Sequence, residues 1–514
     1  MTLLDTLPGS PRWVRWIAEG RRVSPRRSFW ATFAALFVVS SIWAIANPLM
    51  ASVDEPAHVV KAAATVKLAD DISADGYHTG IGTVMLPGLY EQLALFPNCF
   101  AFQPDVTAAC QPALSGDLDA LRPVQTSAIN YNPMYYAVVG LPALLPGGGE
   151  HTVYLMRLVN AAFAAAVLAM AARTVVELRR RRWVGIGLVL SLTPTIVNLL
   201  GSVNPQSVEV AGIALLWVAL LALLREPDPA LTVRRLVRVV LGALLVANAR
   251  GLGPFFVTLV VLICLVAVPW RKVTAMFTDR RLWWGVGGGV LACVIGTLWI
   301  LKGSALPQGA AGAMGWREAV LFSIGHTSAY IQQLISALGW LDVAVPIWVY
   351  LAASALIGFV AILAWSIGRG RDRLVLLGTA ALVLLMPVAI QGMQAQALGP
   401  FWQGRYVYPL AIGFVLLAGV AIDDRADLLP GWLHANLATT LGLSFAAVNV
   451  AAFATNLHRY VNGATGGWFR LDAHSWNPPL NPLLLVLLYA LAWLAFVGVV
   501  LRVTSDGEDR RITV

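Results

Sequence analysis

Charge is what this chain has least of. Only 12% of its 514 residues are Asp, Glu, Lys or Arg, against 58% hydrophobic, and mean hydropathy is +0.72. A soluble domain of this length carries roughly 25% charged residues on its surface, so most of this exterior faces lipid. Chemical signatures are absent too. No C-x-x-C, H-E-x-x-H or G-x-S-x-G occurs, and the "PGGGE" turn at 146–150 lacks the Lys-Ser/Thr of a phosphate-binding loop. These absences exclude ATPase, zinc-protease and serine-hydrolase chemistry of the usual kinds. There is no internal repeat, no low-complexity tract and no separable soluble domain.

The charge that remains is unevenly placed. The net charge is +9, but the basic residues fall in short clusters between apolar runs. No stretch mixes basic and aromatic residues as a nucleic-acid groove would, so nucleic acid is not an expected partner. The clusters read as topology signals. Residues 1–28 ("PRWVRWIAEGRRVSPRR") precede an apolar run too long for a cleaved signal peptide, which makes it a retained first span.

Apolar runs predict about twelve spans, with a range of eleven to thirteen. They lie near 29–47, 152–172, 184–201, 205–224, 235–249, 254–270, 282–301, 345–366, 374–391, 406–422, 434–455 and 482–501. The expected class is an all-α polytopic membrane protein. A cytoplasmic N-terminus (1–28) leads into one membrane domain (29–501) and a cytoplasmic tail (502–514). The arginine clusters ("RRRR" at 179–182, "TVRRLVR", "GRGRDR") then sit inside, while 48–151, 302–344 and 456–481 form extracytoplasmic loops. In the first loop, Val59, Ala63 and Val66 predict a short helix over 56–69 lying on the membrane face, and 134–145 reads as a re-entrant helix. In the second, Val320, Ile324, Ile331 and Leu338 form a similar stripe. Cys264 and Cys293 fall in spans and read as small apolar residues. Cys99 and Cys110, in the first loop, are placed for a disulfide worth about 2–3 kcal/mol.

In so apolar a chain the charges at membrane edges are the informative ones. "VDEPAH" puts Asp54, Glu55 and His58 directly after the first span. Ser52-x-x-Glu55 has capping-box spacing, but Pro56 would then occupy a position needing an N–H; the alternative places Asp54 or Glu55 at the helix start. Functionally, a carboxylate there can act as general base, with the other two groups supporting it or sharing a divalent cation (Mg or Mn). Glu55, His58, His326 and His474 are the metal candidates, with Asp342 and Asp472 as further external acids. "QGRYVYPL" sets Arg405 among Gln403 and Tyr406, as a phosphate-binding fork or as an interface anchor. "NYNPMYY" contributes Asn130, Tyr131, Asn132 and Tyr135, and "SVNPQS" contributes Asn204 and Gln206. Glu209, within a span, has Arg157 and Arg250 as possible partners.

In this order, "VDEPAH", "NYNPMYY", "SVNPQS" and "QGRYVYPL" resemble the bacterial membrane-protein family known as domain of unknown function 2142 over nearly the whole chain. That family is similar in turn to the GT-C glycosyltransferases, polytopic enzymes that use polyprenyl-phosphate sugars on the extracytoplasmic face. The resemblance implies a GT-C-like architecture in the bacterial plasma membrane. It also implies transfer of a sugar from a polyprenyl-phosphate donor to an envelope glycan or lipid. Asp54, with Glu55 adjacent, matches the acidic position after the first span, and Arg405 matches the external arginine near the lipid phosphate. Two alternatives remain open: a transporter or flippase of lipid-linked saccharide, and a non-catalytic envelope-assembly protein.

Overall fold

The computed structural model describes residues 24–73, 80–302, 314–468 and 475–505. Its helices run back and forth between two ends. One end carries the arginine clusters, and the other carries the long connections, including 48–149. The first helix, α1 (Pro25–Ala46), begins where the Ser24 hydroxyl accepts from Arg27 N and stops before Pro48. After the long connection come α2 to α4, described below, and then α5 (Glu150–Val176). Next are α6 (Arg182–Ser191) with α7 (Pro194–Leu200), α8 (Gln206–Arg225), α9 (Thr232–Ala249), and α10 (Gly253–Val266) with α11 (Trp270–Met276). They are followed by α12 (Arg280–Lys302), the short α13 (Trp316–Gly325) and α14 (Thr327–Ile335), α15 (Ile347–Ile367) and α16 (Gly370–Leu398). The last three are α17 (Tyr408–Asp423), α18 (Gly431–Asn462) and α19 (Pro482–Thr504).

Among the described residues, nine helices are long and apolar enough to cross a membrane, or eleven if each of two bent pairs is one span. The pairs are α6–α7, bent by 74° where Pro194 starts the second piece, and α10–α11, bent by 116°. The helix α9 is not among them. Arg234, Arg235 and Arg238 in its first turns keep it out of the apolar class, yet it runs from one end to the other. Arg235 donates to Ala222 O at the arginine-rich end, and Asn248 meets Asn132 at the opposite end. The central helix is α8, buried along its whole length. A Cβ on Gly242 of α9 would come within 2.9 Å of Gly212 O. Glycine there lets the two backbones touch, as small residues do between membrane helices.

The segment after α1 departs from the expected pattern. α2 (Glu55–Lys67) does not lie on a membrane face: Val59 and Ala63 are fully buried in a second apolar core. That core sits beneath an antiparallel pair, β1 (Gly82–Pro87) and β2 (Leu121–Thr126), in register from Gly82↔Thr126 to Pro87↔Leu121. The loop is therefore not all-helical. Between the strands, α3 (Gly88–Ala94) leads to the Cys99–Cys110 disulfide. The predicted helix over 134–145 is instead α4 (Pro133–Val139) followed by a 3-10 turn. It packs against α2 so closely that a Cβ on Gly140 would reach Ala62 O at 2.3 Å. Val153, Met156, Val203 and Val208 of the bundle belong to the same core, which welds the segment to the helices. The stripe expected over 320–338 is broken at His326, with Ile324 exposed and Leu338 buried.

Candidate active site

The local sequence explains where Asp54 points. Pro56 sits in the first turn of α2, where a missing N–H costs nothing. Asp54 precedes the helix at φ +66, a left-handed conformation uncommon for any residue but glycine, Asn or Asp, and its side chain caps no helix N–H. The Ser52 hydroxyl donates to Asn198 Oδ1, so the capping box does not form. The Asp54 carboxylate instead turns to Arg405, accepting from Nη2 at 2.6 Å. Its side chain is 46% exposed, whereas that of Arg405 is 2% exposed. Burial pushes the Asp54 carboxyl up, but the charge and hydrogen bond of Arg405, with His58 and Arg250 nearby, outweigh this and hold it below its ordinary value.

Arg405 is itself positioned by neighbours. Its Nε donates to Gln403 Oε1 at 2.7 Å, and its carbonyl accepts from Gln206 Nε2 at 2.9 Å. Gly404 N donates to Gln333 Oε1, and only glycine fits there, since a Cβ would lie 2.1 Å from Tyr330 O. The third guanidinium nitrogen, Nη1, is buried without a partner. Arg250, just past α9, lies over the Tyr406 ring at 4.5 Å, and Arg405 lies 5.6 Å from the same ring. The Arg250 guanidinium makes no hydrogen bond or ion pair among the described residues. Two guanidiniums and one carboxylate thus converge beside one tyrosine, a donor set suited to an anion next to a proton acceptor.

Glu55 has a different task. Arg157, from α5, spends all five N–H donors at once. Nε and Nη2 grip Glu55 at 2.7 and 2.6 Å, while Nη1 and Nη2 reach the carbonyls of Ala44, Asn47 and Pro48. Glu55 also accepts from Val203 N at 3.0 Å, and neither side chain of the pair is exposed. This corrects two expectations. Arg157 pairs with Glu55 rather than Glu209, and Glu55 has no free oxygen for catalysis or a cation. Among the described residues Glu209 makes no salt bridge; it faces Gln206, with Arg250 the strongest charge acting on it.

The remaining candidates divide by position. His58, one turn along α2 from Asp54, shares a 2.8 Å hydrogen bond with Tyr136 and stands edge-on to Tyr131. Burial lowers it to about 3, so it is a neutral imidazole at neutral pH. Tyr131 lies close enough to Arg250, Asp54 and Tyr406 to feel their charges. Tyr135 is turned away, donating to Asn160 Oδ1 inside the bundle. Asn204 accepts from Gln206 N, Asn132 caps α4, and the Asn130 carbonyl accepts from Trp299 Nε1.

The metal candidates do not assemble. His326 is exposed and stacks on Phe322, and Asp342 is occupied by Phe102 N, Trp340 N and Arg459. His474 and Asp472 lie outside the described residues. Among the described residues no group of three or more His, Cys, Asp or Glu could hold a metal ion. Two small, partly open clefts of about 20 and about 10 Å³ lie elsewhere, and neither is lined by Asp54.

Residues 36–414 match the family described as "Predicted membrane protein (DUF2142)". The chain belongs to that family. The matched region contains the DUF2142 member's Asp54, Glu55, Arg157, Arg250 and Arg405 and ends within α17. No curated protein matches. Among solved structures, the chain is similar to ArnT from Cupriavidus metallidurans bound to undecaprenyl phosphate. Identity is 13% and TM-score 0.36, covering 87% of this chain and 75% of that one. The apo state of the same protein gives 12% identity and TM-score 0.33 at the same coverage. Likeness at this level transfers neither a mechanism nor a ligand. Sequence reasoning took Arg250 only as a possible partner of Glu209, on which it is indeed the strongest charge, and missed its place beside Arg405 and Tyr406. Its signal was present: a lone arginine in "NARGLGP", at a helix break on the same end as Arg405.

Proposed function

We propose that this DUF2142 protein transfers a sugar from a polyprenyl-phosphate donor to a cell-envelope acceptor at the extracytoplasmic face. One observation carries the reading. A half-exposed carboxylate, Asp54, stands 2.6 Å from an arginine with an unpartnered Nη1, and Arg250 supplies a second guanidinium across Tyr406. The arginine clusters lie at the opposite end of the bundle, which supports an extracytoplasmic site in a plasma membrane.

In this reading Arg405 and Arg250 hold the donor's phosphate at the membrane edge. The Asp54 carboxylate takes the proton of an acceptor hydroxyl, whose oxygen bonds to the anomeric carbon from the face opposite the phosphate. The bond from anomeric carbon to phosphate oxygen breaks, and its electron pair leaves with the phosphate, inverting the centre. The leaving phosphate is already ionised and needs no general acid. Its charge is met by the two guanidiniums.

Radiolabel transfer from polyprenyl-phosphate sugars in membranes, comparing wild type with Asp54→Asn, tests the proposal. General-base catalysis predicts a loss of about 10²–10⁴-fold in transfer with unchanged protein level. Full transfer by Asp54→Asn would remove Asp54 as the base. Label that crosses the membrane while still on its lipid carrier would mark a transporter instead.

A further inference from the structure

We infer that Asp54 and the donor's phosphate compete for Arg405, so that the carboxylate is freed to act as a base only when the donor is seated. This rests on the transferase reading above and adds an order of events to it. A guanidinium binds phosphate best through two parallel N–H donors. In Arg405 the Nε is taken by Gln403 and Nη2 by Asp54, and only the buried Nη1 is unpartnered. The fork is therefore half occupied. Nη2 keeps a second N–H, so a phosphate seated on Nη1 and Nη2 would share Nη2 with the Asp54 carboxylate, and the repulsion between two anions on one guanidinium drives the carboxylate off.

Asp54 is free to yield. It caps no helix N–H, its carboxylate accepts no other hydrogen bond among the described residues, and 46% of its side chain is exposed. Arg405 is fixed on its other edges, by Gln403 at the side chain and Gln206 at the carbonyl. The groups acting on the carboxylate are Arg405, His58 and Arg250. Arg405 is the strongest of them, so its transfer to phosphate raises the proton affinity of Asp54. Without donor, Asp54 is a weak base and water is not activated. With donor, the base is released beside the anomeric carbon.

The test is binding of farnesyl phosphate to the full-length protein in detergent, with farnesol and inorganic phosphate as parallel probes. Asp54→Asn and Asp54→Gly remove the competing anion, and glycine also suits the φ of +66 at this position. Both variants should bind farnesyl phosphate about three- to tenfold more tightly than wild type. Inorganic phosphate should gain likewise and farnesol should not. Adding Arg405→Gln should abolish the gain. Equal or weaker binding by both variants at unchanged thermal stability overturns the competition, as does an equal gain for farnesol. If wild type and both variants fail to bind farnesyl phosphate, the transferase reading falls, and this inference with it.

Discussion

Arg157 and Glu55 lie 102 residues apart and form a pair with neither side chain exposed. The same guanidinium holds three carbonyls at the end of α1, so one side chain ties the exit of the first span to the start of α2. Asp54 lies inside that knot, one residue before Glu55, and its left-handed backbone is held from both sides. The adjacent acids therefore divide the work: Glu55 anchors, and Asp54 meets Arg405 with nearly half its side chain exposed.

Breaking the anchor should cost more than removing the half-exposed acid. Glu55→Gln leaves a buried guanidinium without its counter-charge, a change worth about 3–5 kcal/mol. Thermal unfolding in detergent should show a large drop for Glu55→Gln and a small one for Asp54→Asn. Joint replacement of Glu55 and Arg157 by apolar residues should recover part of the loss. A Glu55→Gln protein that unfolds at the wild-type temperature would contradict the anchoring role.

Arg405→Lys keeps a positive charge but loses the planar fork. Transfer assays should show the donor KM raised by at least about tenfold, equivalent to 1.4 kcal/mol. Arg250→Gln should raise it in the same direction. Arg281→Gln should leave it unchanged, because Arg281 pairs with Asp279 on the exposed surface of the opposite end.

His58 predicts a pH dependence of stability. Its folded value of about 3 lies below the ordinary 6.5, so between these values the unfolded chain binds a proton that the folded chain refuses. Stability should therefore fall as pH drops below about 6.5. Asp54 is depressed below 3.8; its contribution is present above 3.8 and is lost only at lower pH. His58→Gln should lose less stability than wild type between pH 6.5 and 4.5 in thermal-shift titrations. Parallel curves for the two proteins would exclude the histidine.

The Cys99–Cys110 disulfide closes a loop clamped from below by Arg459, which donates to Phe100 O and Val106 O. Replacing both cysteines by serine should cost about 2–3 kcal/mol by loop closure. Reductant should lower the unfolding temperature of wild type but not that of the double-serine variant.

Much of this protein is legible in one dimension because lipid imposes a local rule. Every crossing helix must be apolar over about twenty residues, so α1, α8 and α19 appear as runs. The helix α9 was found the same way even though it fails a strict charge limit, because its arginines cluster in its first turns. Pro56 likewise announced the start of α2. Asp54 and Arg405 stood out because charge is rare at membrane edges.

Pairing was not legible. "DE" offers two acids with the same chemistry, and only the fold turned Glu55 inward to Arg157 and Asp54 outward to Arg405, 351 residues away. Nor did the stripe of Val59 and Ala63 disclose its partner. An apolar face suits a lipid surface as well as a protein core, and here β1, β2 and α4 cover it. Sequence alone determined the crossings and the rare charges, since hydrophobicity and helix breaking act over neighbouring residues. Tertiary structure decided which charge meets which, because ion pairing and burial depend on distance in space, to which chain separation is no guide.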